Sequence, residues 1–101
     1  MDASITTTTL YDDDTEVTLV QLCRASRVDE RVLQRWVDEG VLQPLAGSGA
    51  SLRFRGATLK RARVASRLSR DLELDAHGLA IALDLLDEID TLRARLARAG
   101  L

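Results

Sequence analysis

The side chains in this sequence that could do covalent or metal chemistry are few and far apart. There is one cysteine, Cys23, and one histidine, His77, in different parts of the chain. One cysteine allows no internal disulfide, and with a single histidine no tetrahedral zinc set can be assembled. No nucleophile has a base at a recognisable spacing. Gly47-Ser48-Gly49 lacks both the strand-to-helix context and the lysine that a phosphate loop requires. Cys23 reads as small core filling and His77 as an exposed residue just inside a helix start. These residues argue against an enzyme, and no cofactor or metal is expected.

Charge is the chemistry that remains, and it is segregated. The chain carries 14 basic and 16 acidic residues for a net charge of −2. Residues 1–50 hold 4 basic and 9 acidic, residues 51–70 hold 7 basic and none acidic, and residues 71–101 hold 3 basic and 7 acidic. A basic island thus lies between two acidic regions, a pattern that points to binding of charged partners. Within the island Lys60, Arg63, Arg67 and Arg70 recur at three- and four-residue steps and form one stripe. Its uses, in order, are solvation, ion pairing with the last helix or its dimer mate, and nucleic acid contact.

The elements that must position these charges follow from periodicity. Residues 75–101 read as one long helix capped by Asp75. Leu79, Ala82, Leu83 and Leu86 form one apolar stripe, and Leu85, Ile89, Leu92 and Leu96 a second. The first docks on the domain. The second asks for another surface, most simply a second copy of the chain, and its four residues are the expected dimer interface. Asp84, Asp87 and Glu88 occupy the remaining edge, which this reading leaves free.

Upstream, residues 1–16 are low in complexity, with Thr6–Thr9 followed by Asp12, Asp13, Asp14 and Glu16. They read as a flexible acidic tail, or alternatively as a short β segment at Ile5–Tyr11. Thr18 and Gln21 fit a capping box opening a helix over about 19–25. Ser26-Arg27-Val28 turns the chain, Asp29 is placed to cap a second helix to Glu39, and Gly40 ends it. The inward residues of the two are Leu19, Leu22 and Cys23, then Val32, Leu33, Trp36 and Val37. Leu45–Phe54 around Gly47-Ser48-Gly49 suggests a small hairpin, a wing. Residues 56–72 resume helical spacing with Leu59, Ala62, Ala65, Leu68 and Leu72 inward. The expected fold is mainly α, a winged helix-turn-helix over 17–74 with a C-terminal helix over 75–101 for dimerisation and partner binding. No apolar run is long enough for a membrane span and no signal-peptide pattern opens the sequence, so a reducing, cytoplasmic setting is expected.

This order of elements, with Gly40-Val41-Leu42-Gln43-Pro44 before the wing, resembles the MerR-like helix-turn-helix superfamily. Within it the chain resembles the chaperone modulator family CbpM. The residues that carry the likeness are Val17-Thr18-Leu19 with Leu22-Cys23, Glu39-Gly40-Val41-Leu42 with Pro44, Leu72-Glu73-Leu74-Asp75, Gly78 through Leu83, and Leu86-Asp87-Glu88-Ile89 with Leu92. The resemblance covers about residues 17–97. It implies a modulator that binds the J-domain of a DnaJ-like co-chaperone and inhibits it by competing with a DnaK-type chaperone; a nucleoid location could then follow only through that partner. The J-domain surface is basic, so Asp84, Asp87 and Glu88 are the natural complement, with Asp71 and Glu73 as extensions.

The alternative is a MerR-like DNA-binding transcriptional regulator, because the fold is shared with DNA readers. Its contacts would be Arg31, Arg35, Arg53, Arg55, Lys60 and Arg61. Against it, the second helix presents Asp29 and Glu30 where base edges would be met, and four acidic residues accompany its two arginines.

Overall fold

The computed structural model describes residues 11–100. Two short strands and four α-helices follow one another: β1 (Glu16–Thr18), α1 (Leu19–Ser26), α2 (Glu30–Asp38), β2 (Arg53–Arg55), α3 (Thr58–Leu72) and α4 (Ala76–Arg98), with a 3-10 turn at Gly49–Ser51. Residues 1–10 of the expected acidic tail, including most of the alternative β segment at Ile5–Tyr11, lie outside the described residues. Within them, Asp12 to Thr15 make a hydrogen-bonded turn, and Glu16 already belongs to β1.

Local chemistry sets the helix-turn-helix. The Thr18 Oγ1 accepts from the Gln21 amide at 3.1 Å while the Gln21 side chain accepts from the Thr18 amide at 2.8 Å, so two orphan donors of α1 are satisfied reciprocally. Arg27 adopts a left-handed conformation, φ 61°, and the amides of Arg27 and Val28 both donate to the Cys23 carbonyl, which closes α1. Asp29 stands at the start of α2 as expected, but its carboxylate makes no capping bond, so the backbone alone opens that helix. At the far end Gly40, φ 82°, sends its amide to the Val37 carbonyl, and the Val41 amide reaches the Trp36 carbonyl. This pair of bonds, with buried Val41 against buried Trp36, is a Schellman closure.

The wing differs from a simple hairpin. Ala46 and Arg53 form an isolated bridge, with the Arg53 amide donating to the Ala46 carbonyl at 2.9 Å. Beyond it the tip is the 3-10 turn, and Gly47 is held at φ 87° where a Cβ would collide with the Ser51 carbonyl. The ladder of β2 forms on its other edge, antiparallel to β1, with Glu16 opposite Arg55, Val17 opposite Phe54 and Thr18 opposite Arg53. Only the middle pair of that ladder faces inward, so Val17 and Phe54 are fully buried and the charged pairs flank them outside.

One core joins all of these elements. It contains Val17, Leu19, Leu22, Leu33, Trp36, Val41, Leu42, Phe54, Leu59, Ala62, Ala65, Leu79 and Leu83 among others. The mainly helical winged fold with a long last helix is therefore the architecture of this chain. Three residues expected inward are exposed instead. Val32 lies beside Trp36 on a flank of α2 while Leu33 takes the core; Leu72 falls at the end of α3; Leu86 falls past the last docked turn of α4.

Candidate partner-binding site

The last helix begins when the Asp75 Oδ1 accepts from the Gly78 amide at 2.8 Å. Leu79 and Leu83 are buried, whereas every residue from Asp84 to Gly100 is exposed. With 23 residues α4 spans about 35 Å, and none of its residues beyond Leu83 is buried. Leu85, Ile89, Leu92 and Leu96 all lie on this exposed portion, at 60%, 43%, 46% and 50%.

The acidic edge is not free, which corrects the sequence reading. Arg61, from α3, donates to the Asp87 Oδ2 at 2.8 Å and to the Asp84 Oδ1 at 3.3 Å. Its Nε donates to the Val41 carbonyl at 2.7 Å, in the loop that follows α2. One guanidinium thus fastens three parts of the fold, and its planar fork suits two carboxylates at once. Sequence alone does not signal this pairing, because Arg61 lies off the basic stripe and far from both aspartates along the chain. The two carboxylates remain exposed on their outer sides, at 77% and 69% of the side-chain surface. Glu88, the next acidic residue, is exposed.

Asp71 and Glu73 sit apart from that edge at the junction of α3 and α4. Asp71 is 4.0 Å from the Arg70 Nε, and Glu73 closes α3 in a left-handed conformation, φ 53°.

The cations considered for nucleic acid contact divide into two groups. Arg53 lies 3.4 Å from Glu16, Arg55 lies 3.9 Å from Asp14, and Arg61 is held as described. Arg31, Arg35 and Lys60 are exposed and make no ion pair among the described residues. Arg31 and Arg35 share the outer face of α2 with Asp29, Glu30, Gln34, Asp38 and Glu39, which line one shallow groove. Of the basic stripe, Arg63 reaches the Ala25 carbonyl at 3.3 Å and so braces α3 against α1, while Lys60, Arg67 and Arg70 face solvent.

Cys23 packs against the core, and burial first, then the carboxylates of Glu30 and Asp29, push its thiol above the ordinary range. The folded state therefore holds that proton more firmly than the unfolded chain. The resulting stability is present below the ordinary thiol range and is lost as pH climbs through the raised value. His77 is exposed, and no group of three or more His, Cys, Asp or Glu residues that could hold a metal occurs among the described residues. None of the described helices is long and apolar enough to cross a membrane.

A helix-turn-helix, a wing backed by an N-terminal strand and a long last helix define a MerR-like winged protein. The profile of the family described as "MerR HTH family regulatory protein" matches residues 17–99. The chain is also similar to the chaperone modulatory protein CbpM of Coxiella burnetii, 38% identical over 76 residues that cover 75% of this chain and 72% of the relative. To CbpM of Salmonella arizonae it is 34% identical over 76 residues, 75% of each chain. The chain belongs to the CbpM family of chaperone modulators, related to the MerR helix-turn-helix superfamily.

Proposed function

We propose that this chaperone modulator binds the J-domain of a DnaJ-like co-chaperone and inhibits it by covering the surface that a DnaK-type chaperone would engage. The observation that carries this reading is the exposure of Asp84, Asp87 and Glu88 along the last helix. Their complement is a basic surface, and opposite charges across such a contact speed encounter and fix orientation. Asp71 and Glu73, set apart at the junction of α3 and α4, are a secondary acidic contact in this reading. The duplex-reading alternative is weaker because Asp29 and Glu30 begin α2 and three of its six arginine and lysine contacts already face carboxylates of the chain itself. A titration of labelled J-domain should give saturable binding that weakens as salt is raised, together with loss of DnaK stimulation in proportion to occupancy. Inhibition that persists without J-domain binding rules the competitive account out.

The same helix pairs two copies through Leu85, Ile89, Leu92 and Leu96, whose spacing of four, three and four residues is that of a coiled-coil seam. The antiparallel sense is favoured by charge. Residues 84–90 carry Asp84, Asp87, Glu88 and Asp90, and residues 93–98 carry Arg93, Arg95 and Arg98. Antiparallel pairing sets the acidic half of one helix against the basic half of the other and brings Glu88 opposite Arg95 of the second copy. Glu88→Arg should weaken dimerisation by about tenfold, and Glu88→Arg with Arg95→Glu should restore it, as read by analytical ultracentrifugation. In a parallel dimer Glu88 faces Arg93 instead, and the double exchange would leave the defect in place.

A further inference from the structure

The N-terminal arm, Asp12 to Thr18, lies against the wing rather than away from it, and several independent bonds keep it there. The Gly56 amide donates to the Thr15 carbonyl at 2.6 Å and the Ala57 amide to the Asp13 carbonyl at 3.3 Å. A Cβ at position 56 would collide with the Asp12 carbonyl, so only glycine lets the arm approach this closely. Tyr11 packs against the core, and the β1 to β2 ladder fixes the register. The consequence of that register is electrostatic: Glu16 is brought to 3.4 Å from Arg53, and Asp14 to 3.9 Å from Arg55.

We propose that the wing of this protein is a contact surface for the backbone of duplex nucleic acid that its own N-terminal arm masks, with Asp14 and Glu16 standing where phosphates would meet Arg55 and Arg53. Both pairs are exposed, so neither holds the arm in place by itself. The backbone bonds hold it, and they keep the two carboxylates beside the arginines at a high effective concentration that a free phosphate must displace. Arg61, the third cation on this side, is taken by Asp84 and Asp87 in the same manner. A fold whose basic island could grip a polyanion thereby remains available to a protein partner.

The test is Asp14→Asn with Glu16→Gln, which removes two charges and preserves side-chain shape and the backbone ladder. Fluorescence anisotropy with a short labelled duplex of arbitrary sequence, at about 50 mM salt, should show binding at least about tenfold tighter than that of the unaltered protein. The plot of log affinity against log salt should steepen by about 1 to 2, one step for each arginine freed. Adding Arg53→Ala and Arg55→Ala should abolish the gain. Should the double variant melt early, Asp14→Asn alone, at a side chain 97% exposed, gives the same reading at about half the effect. Unchanged duplex affinity in a folded variant overturns the proposal. So does a gain that survives loss of both arginines, because the contact would then lie elsewhere. That quadruple variant has the original net charge of −2, so a charge-matched control is needed. Arg93→Ala with Arg98→Ala in the double variant must leave the gain in place, and its loss there overturns the proposal in favour of net charge. J-domain titration of the same variants separates this outcome from the chaperone reading, since masking predicts that J-domain affinity is unaltered.

Discussion

Replacing Leu79 by alanine is expected to destabilise the protein by about 3 kcal/mol, the middle of the range for a leucine removed from a closed core. Leu79 is fully buried and, with Leu83, is one of only two buried residues by which α4 docks. Both the lost transfer energy of its methyl groups and the cavity left behind contribute, since α3 brings to the same core the short side chains Ala62 and Ala65, which cannot reach into the space. For a domain of this size such a loss is a large share of a total stability of about 5–15 kcal/mol. A melt followed by circular dichroism should shift down by about 15 °C. The companion variant Leu92→Ala should hardly move the melt of the dilute monomer and should act through the concentration dependence instead, because Leu92 is half exposed in the single chain. Equal melting of Leu79→Ala and the unaltered protein would show that α4 is held by something other than its first apolar stripe.

Reversing charge at Asp87 is expected to have the largest effect on partner binding. Asp87→Lys should lower J-domain affinity by at least about tenfold at low salt, mainly through slower association, and the deficit should shrink as the screening length falls from about 10 Å at 0.1 M to about 3 Å at 1 M. Asp87 also holds Arg61, so a loss of binding after that change alone has two explanations. Arg61→Gln separates them. Removing the guanidinium leaves Asp84 and Asp87 unpaired while costing the clamp on the Val41 carbonyl. If the carboxylates meet a basic partner surface, affinity should rise, because the partner no longer displaces an internal cation. If their only task is to fasten α3 to α4, Arg61→Gln and Asp87→Lys should impair binding in the same direction. Isothermal titration of both variants, with their melting temperatures recorded, distinguishes the two results.

The Arg61 clamp also gives the acidic edge a second meaning. Two carboxylates that share one arginine keep their outer lone pairs towards solvent, so they can accept from a partner without first losing every internal bond. The partner therefore competes with Arg61 only in part. Substitution of Glu88, one residue beyond and free of this clamp, should leave α4 set against α3 unchanged. Because Glu88 also faces Arg95 in the proposed dimer, its effect on J-domain affinity is read at a concentration at which both variant and unaltered protein are monomeric.

Interactions between near neighbours could be read directly. Thr18 and Gln21 are three residues apart and satisfy each other's amides; Gly40 closes α2 because the left-handed conformation there carries almost no penalty for glycine. The docking of α4 through Leu79 and Leu83 was legible from their spacing, and so was the core position of Trp36. Asp29 is the local exception. It has the right residue type for a cap and makes no capping bond, since an exposed carboxylate can be satisfied by water equally well.

Composition, periodicity and capping chemistry by themselves determined the helices, their ends and the segregation of charge, because each depends on residues within a turn or two of one another. Tertiary structure alone decided which charges are spent. Glu16 and Asp14 neutralise the wing only once β1 has paired with a strand more than thirty residues away, and Arg61 reaches Asp84 and Asp87 only once α4 has docked on α3. Such pairings are set by the packing of Val17 on Phe54 and of Leu79 and Leu83 in the core, and sequence distance carries no record of them. The point at which burial of α4 ends, after Leu83, was settled in the same way: periodicity carries the apolar stripes on to Leu96, and only the extent of the core beneath determines where burial stops.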